Sequence, residues 1–194
     1  MRVFFIEGVI GAGKTTFIKF LADYLPNVQI CLEPVDLWRE MGILDKFYKN
    51  PAEWAYKFQS FAFCSRIMAI KDNFNPAADI YLIERSPISD KIFASIQNFA
   101  PIEQKMFNLW SDTYEALLPF TEYSIIYLKP PIDVCQERIK TRGRAEEQQI
   151  PIEYQQLLEK AHDECFKTQK NVIVVDTSQD MRKIADQIFL ANVK

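Results

Sequence analysis

The chain has 194 residues, of which 48% are hydrophobic and 25% are charged, and its formal net charge is -3. These values are typical of a soluble globular protein and exclude disordered, collagen-like and disulfide-rich classes. The near-neutral charge argues against a nucleic-acid partner, because proteins that bind nucleic acid broadly carry an excess of lysine and arginine. At this length we expect residues 1–194 to form a single domain with one core.

The N-terminal apolar run is shorter than the hydrophobic region of a signal peptide and ends at Glu7. No uninterrupted apolar run reaches the roughly 18 residues needed to cross a bilayer, which argues against a membrane partner. The four cysteines are widely spaced without a C-x-x-C pair, and His162 is the one histidine. We interpret all five as structural and the cysteines as reduced thiols. The sequence therefore predicts a cytoplasmic protein.

Short apolar runs alternate with longer segments of helical period, which is the pattern of an α/β protein. The predicted strands cover residues 3–6, 28–32, 80–83, 124–128 and 172–175. The predicted helices cover residues 14–24, 51–71, 89–98, 101–118, 132–142, 151–167 and 181–190. All strands but the second are nearly continuous apolar runs, as expected where helices cover both faces of a sheet. We expect a five-stranded parallel sheet flanked by helices.

A phosphate-binding motif follows the first strand directly. Residues 8–15 read GVIGAGKT, a complete match to G-x-x-x-x-G-K-[ST], and an apolar helix comes next. In such a P-loop, backbone N–H groups and the helix N-terminus surround a phosphate, Lys14 reaches the outer phosphates of ATP, and Thr15 offers a hydroxyl to Mg²⁺. The residues predicted to hold the ATP phosphates are Gly8, Gly11, Ala12, Gly13, Lys14, Thr15 and Thr16.

The class of P-loop protein is narrowed by motifs that the sequence lacks. A GTPase needs an N-K-x-D base reader and usually a D-x-x-G switch, and neither occurs in this sequence. Motor and transporter ATPases are normally longer chains. A small-molecule P-loop kinase is the remaining class, and the length of the chain suits it.

Acidic residues end several predicted strands. Glu33 follows the second strand, at the sheet edge where doubly wound domains bind ligands, and could accept the proton of an acceptor hydroxyl. Glu84 and Arg85 follow the third strand, where Glu84 could hold Mg²⁺ or its waters and Arg85 could contact phosphate and Glu33. Asp176 ends the last strand and is a rival metal ligand. A helix cap or a surface ion pair is the alternative explanation for these charges.

A basic cluster and a polar helix face are two further candidates. The cluster comprises Arg138, Lys140, Arg142 and Arg144, next to Gly143. It could form a mobile Arg-rich lid that stabilises a transferring phosphoryl group, or it could be a solvated charged face.

Within the predicted helix at 51–71, Gln59 and Arg66 lie two turns apart, so they share a face beside aromatic residues. This face could read a planar base by hydrogen bonding and stacking. A core helix with its polar residues turned to water explains the same pattern equally well.

In order and spacing, these motifs resemble the deoxyribonucleoside kinase family, which includes deoxycytidine and deoxyguanosine kinases. Besides the P-loop after Ile6 and Glu7, they are EPVxxW at 33–38, FQxxxxxSR at 58–66, ERSxxSD at 84–90 and RxxxRGRxEE at 138–147. The resemblance covers nearly the whole chain. It implies ATP-dependent phosphorylation of a deoxynucleoside 5′-hydroxyl for nucleotide salvage, usually by a homodimer.

The resemblance also implies a role for each matching residue. Glu33 is the general base, Arg85 positions Glu33 and the phosphates, and Thr15 and Glu84 serve Mg²⁺. The residues assigned to catalysis are Glu33, Arg85, Lys14 and the lid arginines Arg138, Arg142 and Arg144. The residues assigned to the nucleoside are Glu33, Trp38, Leu44, Phe47, Tyr48, Phe58, Gln59, Arg66, Arg85, Asp90 and Glu147. Within that set, Tyr48 and Glu147 match binders of the 3′-hydroxyl, and Gln59 matches the residue that bonds the base edge.

The pair Arg66 and Asp90, with the small Ala62, resembles the enzymes for deoxycytidine and purine deoxynucleosides rather than thymidine kinases. A base that mismatches this pair would leave a desolvated charge unpaired. The segment 90–93 is one residue shorter than the family's pattern, which leaves open whether Phe93 lines the base pocket. The alternatives are a nucleoside monophosphate kinase of the thymidylate kinase type, whose acceptor phosphate Glu33 would repel, and a P-loop binding protein without turnover.

Overall fold

The computed structural model describes residues 1–148, 150–177 and 179–190. Its strands are β1 (Arg2–Glu7), β2 (Val28–Cys31), β3 (Ile80–Glu84), β4 (Ser124–Leu128) and β5 (Val172–Val175). They form one sheet in the order β2-β3-β1-β4-β5, and every neighbouring pair is parallel. The predicted α/β fold with a five-stranded parallel sheet is confirmed.

Helices connect and cover the strands. They are α1 (Lys14–Tyr24), α2 (Val35–Glu40), α3 (Ile43–Lys49), α4 (Pro51–Asp72), α5 (Pro87–Ser95), α6 (Pro101–Glu115), α7 (Ile132–Arg142), α8 (Ile152–Phe166) and α9 (Met181–Ala185). A turn of 3₁₀ helix (Ala145–Glu147) follows α7, and a turn of π-helix (Asp186–Leu190) continues α9. Six of these helices, α2 and α4–α8, have a proline as their first residue or directly before it, where its missing N–H costs no hydrogen bond.

The predicted strands agree with the structure to within one residue at each end, but two helices differ and two more were missed. Helix α5 begins at Pro87, two residues earlier than predicted, because the Ser86 hydroxyl accepts a hydrogen bond from the Ser89 backbone N–H and caps the helix. It ends at Ser95, and α6 ends at Glu115, so both predictions extended three residues too far.

Helices α2 and α3 were not predicted, because with 6 and 7 residues they are too short to show a helical period. Packing holds them instead. Trp38 on α2 and Leu44 and Phe47 on α3 form a small apolar cluster with Phe58 of α4. This cluster is separate from the main core around the sheet and forms a wall beside the carboxyl end of β2.

The carboxyl ends of the parallel strands bring acidic residues to one edge of the sheet. Glu7 ends β1 and Glu84 ends β3, and each side chain is buried. Glu33 lies two residues beyond β2 at the same edge. Ligands bind at this edge in doubly wound sheets, so the topology places Glu33 and Glu84 beside one crevice, with Glu7 buried behind it.

Candidate active site

The P-loop joins β1 to α1 and packs tightly against α7. Gly11 has a φ of 81°, and a Cβ at this position would lie 2.5 Å from the carbonyl oxygen of Cys135. On the other side, Gln155 of α8 is fully buried and donates a hydrogen bond of 2.6 Å to the Ile10 carbonyl. The loop is therefore held in shape by its contacts with α7 and α8.

The charged and hydroxyl groups of the P-loop are ordered within it. The Lys14 ammonium donates to the carbonyls of Gly8 and Val9 at 3.1 and 3.0 Å. Burial, together with the positive charge of Arg85, lowers the pKa of Lys14 to about 8. The Thr15 hydroxyl donates to Glu84 Oε1 at 2.8 Å. The structure thus brings together the two predicted metal ligands, whereas Asp176, the rival ligand, is exposed after β5.

A cavity of about 1120 Å³ lies in front of the P-loop. Residues 11–16 line it, together with Glu84 and the three predicted lid arginines, whereas Gly8 is not among the lining residues. The segment after β5 also contributes, through Thr177, Asp180 and Arg182. No sequence motif marks this segment, so its place in the cavity was not predicted.

A second cavity, of about 240 Å³, adjoins the first and shares Lys14, Thr15 and Glu84 with it. Every residue predicted to bind the nucleoside lines it, except Asp90, which reaches it through its ion pair with Arg66. Phe93 also lines this cavity, although the segment 90–93 is one residue shorter than the family's pattern. The Arg85 guanidinium lies 4.6 Å from the centroid of the Phe93 ring.

Aromatic side chains form the walls of this second cavity. The rings of Phe47 and Phe58 stack with centroids 4.8 Å apart, and Trp38 meets Phe58 edge to face at 5.4 Å. The Trp38 indole donates to the Ser65 hydroxyl at 2.9 Å, so its orientation is fixed. Flat rigid walls of this kind suit a planar ring system.

Buried polar atoms without partners cluster at this cavity. Among the described residues, Gln59 Nε2, Arg66 Nε and Asp90 Oδ2 have no hydrogen-bond partner. Buried polar groups in folded proteins are almost always paired, since an unpaired one costs roughly 1–3 kcal/mol. Gln59 and Arg66 line the aromatic-walled cavity and Asp90 is paired with Arg66, so these atoms indicate a ligand with hydrogen-bonding edges.

Two arginines hold the carboxylate of Glu33. Its Oε1 accepts from Arg66 Nη2 at 2.6 Å and lies 3.2 Å from Arg85 Nε. Burial by itself would raise the pKa of Glu33, but the positive charges of Arg85 and Arg66 outweigh burial and lower the pKa to about 2. Glu33 is therefore ionised at neutral pH.

Asp90 behaves in the opposite way. It is buried and paired with Arg66, yet burial outweighs the attraction of Arg66 and raises the pKa of Asp90 to about 6. The same neighbouring guanidinium thus serves two carboxylates of different basicity.

The basic segment lies between the two cavities. Arg138 donates to the Ala12 carbonyl at 3.1 Å, so it contacts the P-loop directly. Arg142 and Arg144 both pair with the buried carboxylate of Glu147, the latter at 3.1 Å. Arg142 and Arg144 line both cavities.

The 3₁₀ turn of this segment is tied to α2. Arg39 pairs with Glu146 at 3.1 Å, so an ion pair joins the segment to the helix that follows Glu33. The sequence analysis missed Arg39, since α2 itself was not predicted.

A buried network behind the P-loop was also missed. Glu7 is fully buried at the end of β1 and accepts hydrogen bonds from the backbone N–H and hydroxyl of Ser86 and from the hydroxyl of Ser89. Arg85, whose backbone has a φ of 66°, lies between this network and Glu33. A carboxylate that ends a continuous apolar strand is a sequence signal that could have selected Glu7, as it selected Glu84.

Three further findings concern the cysteines, membrane-spanning helices and metal-binding groups. All four cysteines are free thiols. Within residues 1–148, 150–177 and 179–190, no helix has the length and apolar character of a membrane span. In the same residues, no group of three or more His, Cys, Asp or Glu side chains is arranged to hold a metal ion.

Comparisons with known proteins agree with this geometry. A family model described as deoxynucleoside kinase matches residues 4–190. The chain is 39% identical over 163 residues to the fowlpox virus protein named "Probable deoxycytidine kinase FPV151", covering 81% of this chain and 68% of that relative.

Similar relatives occur in vertebrates. The chain is 31% identical over 228 residues to deoxycytidine kinase of Bos taurus, covering 95% of this chain and 86% of the relative. It is 27% identical over 224 residues to mitochondrial deoxyguanosine kinase of Xenopus laevis, covering 97% and 80%. The resemblance found in the sequence is confirmed: the chain belongs to the deoxynucleoside kinase family, whose enzymes phosphorylate deoxynucleosides.

Proposed function

We propose that the enzyme transfers the γ-phosphoryl group of ATP to the 5′-hydroxyl of a deoxyribonucleoside, with deoxycytidine or a purine deoxynucleoside preferred over thymidine. The product is the 5′-monophosphate, and the role is nucleotide salvage. The observation that carries the acceptor class is the set of unpaired polar atoms on Gln59, Arg66 and Asp90 beside the small aromatic cavity. A cavity of about 240 Å³ suits a nucleoside, and the larger cavity across the P-loop suits ATP.

On the donor side, the P-loop N–H groups and Lys14 hold the phosphates. Thr15 and Glu84 would hold Mg²⁺: their hydroxyl and carboxylate oxygens are the ligands that this ion prefers, and they already lie 2.8 Å apart. Two protein ligands suffice, because Mg²⁺ in kinases keeps waters and binds substrate phosphates. When bound, Mg²⁺ neutralises charge on the phosphates of ATP.

On the acceptor side, Glu33 accepts the proton of the 5′-hydroxyl. Its low pKa makes it a weak base, which suits a loose transition state: the hydroxyl proton leaves late, once the new bond from oxygen to phosphorus has begun to form and has made that proton acidic. Arg85 positions Glu33, because its guanidinium contacts both that carboxylate and the Gly8 carbonyl of the P-loop.

We propose that the basic segment forms a lid over the transferring group. Arg138, Arg142 and Arg144 supply positive charge to the equatorial oxygens of the transition state. Tyr48 and Glu147, which line the acceptor cavity, bind the sugar 3′-hydroxyl. Glu147 is held by Arg142 and Arg144, so closing the lid and binding the sugar involve the same side chains.

Base selection is assigned to Gln59, Arg66 and Asp90. Their buried donors and acceptors match an exocyclic amine or carbonyl, and a base that leaves them unpaired pays their desolvation cost. The stacked pair of Phe47 and Phe58 and the indole of Trp38 hold the plane of the base.

A phosphorylation assay tests this function. The purified protein is given MgATP and, in separate reactions, deoxycytidine, deoxyadenosine, deoxyguanosine, thymidine and the corresponding monophosphates, and kcat/KM is measured for each. Turnover of the free nucleosides with thymidine as the poorest is the expected result. Turnover of the monophosphates alone would overturn the acceptor class and the role of Glu33.

We further propose that residues 1–194 form one domain that acts as a homodimer in the cytoplasm. A stripe of apolar side chains on α6 supports the dimer: Ile102, Met106 and Leu109 recur at helical spacing and are 64%, 42% and 71% exposed. The four free thiols support a reducing compartment. Fractionation of cells that express the protein, with a mitochondrial marker as reference, tests the location.

A further inference from the structure

We propose that Glu7 is a positioning residue for phosphoryl transfer, which acts by orienting the Ser89 hydroxyl that holds the Arg85 guanidinium. The inference rests on the proposed role of Arg85 in the reaction. Glu7 itself contacts neither cavity and cannot touch either substrate. Its effect therefore has to pass through its neighbours.

The Glu7 carboxylate accepts hydrogen bonds from two serines. Glu7 is 0% exposed, and its Oε1 accepts from the Ser86 N–H at 2.8 Å and the Ser86 hydroxyl at 2.6 Å. Its Oε2 accepts from the Ser89 hydroxyl at 3.0 Å. An ionised carboxylate can only accept hydrogen bonds, so both serine hydroxyls must point their protons at Glu7.

The hydrogen bond to Glu7 fixes the orientation of the Ser89 hydroxyl. A serine hydroxyl has one proton and two lone pairs, and its proton is committed to Glu7. The lone pairs therefore face away from Glu7, where Arg85 Nη1 donates to the same oxygen at 3.1 Å. Arg85 Nη1 also donates to the Gly8 carbonyl at 3.1 Å, so two acceptors fix that nitrogen.

The backbone and the guanidinium of Arg85 are both constrained. Its backbone adopts a φ of 66°, in the left-handed region, which is strained for an L residue with a long side chain. The backbone N–H donates to the Ile6 carbonyl at 3.0 Å, one residue before Glu7. With Nη1 fixed by Ser89 and Gly8, the guanidinium plane presents Nε to Glu33 at 3.2 Å.

The charged groups around Glu7 also support a role that acts through Arg85. Two groups with basic nitrogens lie near the Glu7 carboxylate, Arg85 Nη1 and His162 Nε2, each at 3.9 Å. His162 Nδ1 lies 2.7 Å from the Leu158 carbonyl, which can only accept, so Nδ1 carries the proton of the neutral ring and Nε2 carries none. Burial lowers the pKa of His162 to about 4, so the ring is neutral in the working range of the enzyme. Arg85 is thus the cation within 4 Å of the Glu7 carboxylate, and Lys14 of the P-loop contributes positive charge to it from farther away.

Glu7→Gln tests this with little change in volume. The new amide nitrogen donates to Ser89, whose proton can then turn toward Arg85 and repel it. We expect kcat with MgATP and deoxycytidine to fall about tenfold, with KM for deoxycytidine changed by less than about twofold, since the lost effect acts on the transition state. Ser89→Ala, which leaves Glu7 bonded to Ser86, is expected to lower kcat in the same way.

A double-mutant cycle with Arg85→Ala separates positioning from a merely structural role. If Glu7 acts through Arg85, Glu7→Gln added to Arg85→Ala changes kcat by less than about twofold. Ile70→Val is the control, because it removes a methylene from the buried core away from Arg85. It should lower the melting temperature and leave kcat unchanged.

The outcomes are distinct. Wild-type kcat in Glu7→Gln, or the same fold loss with and without Arg85, overturns the inference and leaves the proposed function standing. Wild-type kcat in Arg85→Ala overturns the proposed role of Arg85 and the inference with it. If Glu7→Gln does not fold, the same cycle carried out with Ser89→Ala decides the question.

Discussion

The guanidinium of Arg66 donates a hydrogen bond to the carboxylate of Glu33 across 2.6 Å. Arg66 is also the partner of Asp90, so the residue proposed to read the base shares its charge with the proposed general base. We expect a nucleoside that takes a hydrogen bond from Arg66 to change the surroundings of Glu33 when it binds. The proposed roles therefore couple recognition of the base to activation of the hydroxyl through one side chain.

Glu33→Gln is expected to lower kcat by about 100-fold or more, the usual scale for loss of a general base. The amide keeps the size of the side chain but cannot accept the hydroxyl proton. Steady-state kinetics with MgATP and deoxycytidine measure the loss, and thermal unfolding checks that the fold is intact. Glu40→Gln, an exposed position on α2, is the control and should retain kcat. A near-normal kcat in Glu33→Gln would remove Glu33 from the mechanism.

Asp90→Ala is expected to raise the use of thymidine relative to deoxycytidine. The substitution removes the buried partner of Arg66 and opens space beside the base. Deoxycytidine then loses the Arg66–Asp90 pair that is proposed to match its base. The ratio of the two kcat/KM values is the measurement, and Asp23→Ala, on the exposed face of α1, should leave the ratio unchanged. An unchanged ratio in Asp90→Ala would show that the pair does not set specificity.

Gly11→Ala and Gly42→Ala form a matched pair for stability. Both glycines have a positive φ, 81° and 68°, so each substitution introduces about 1–2 kcal/mol of backbone strain. A Cβ on Gly11 would also lie 2.5 Å from the backbone of Cys135, whereas Gly42 has nothing within 4 Å. We expect Gly11→Ala to lower the free energy of unfolding by about 1–3 kcal/mol more than Gly42→Ala. Urea denaturation compares them, and equal losses would show that the P-loop is not tightly packed on α7.

His162 should make folding stability depend on pH between 4 and 6.5. Burial lowers the pKa of the folded ring to about 4, from 6.5 in the unfolded chain. The unfolded chain binds the proton first, so this contribution is complete above pH 6.5 and is lost as pH falls, by up to about 3 kcal/mol. Asp90, with its pKa raised to about 6, contributes the opposite slope from pH 3.8 to 6.

The difference between wild type and His162→Phe isolates the ring, because Asp90 is present in both proteins. Urea unfolding at several pH values gives the two curves. Their gap in stability should change steadily in favour of the wild type as pH rises from 4 to 6.5. Parallel curves would contradict the buried neutral imidazole.

Leu109→Arg is expected to convert the proposed homodimer to a monomer. The side chain is 71% exposed on α6, and a charge in the centre of an apolar interface is costly to bury. Sedimentation equilibrium gives the mass of the particle. Met41→Arg, at a 55% exposed position directly after α2, is the control and should remain dimeric. A monomeric wild type would contradict the dimer.

The sequence was sufficient for the sheet and for much of the site, for local reasons. Buried parallel strands are continuous apolar runs, so β1, β3 and β4 could be located to within one residue. Parallel strands bring their carboxyl ends to one edge, so Glu33 and Glu84 could be placed beside the P-loop before the structure was known.

What the sequence did not predict depends on tertiary packing. Helix α3 has 7 residues and is held by contacts with α4 that no local pattern records. The contact of Gln155 with the P-loop joins residues 145 positions apart in the chain. Arg66 was predicted to face the base, but its bond to Glu33 depends on how α4 meets the end of β2.

The packing of Gly11 on Cys135 has a consequence for how the lid can open. Cys135 lies in the first turns of α7, and Arg138, one turn on, donates to Ala12, so this helix is clamped to the P-loop at two points. Movement of α7 would disturb the phosphate cradle, so we expect the proposed lid to pivot after this helix, at Gly143, whose φ is 70°. The moving part would then be a short flap that carries Arg144, while Arg138 and Arg142 stay in place on α7.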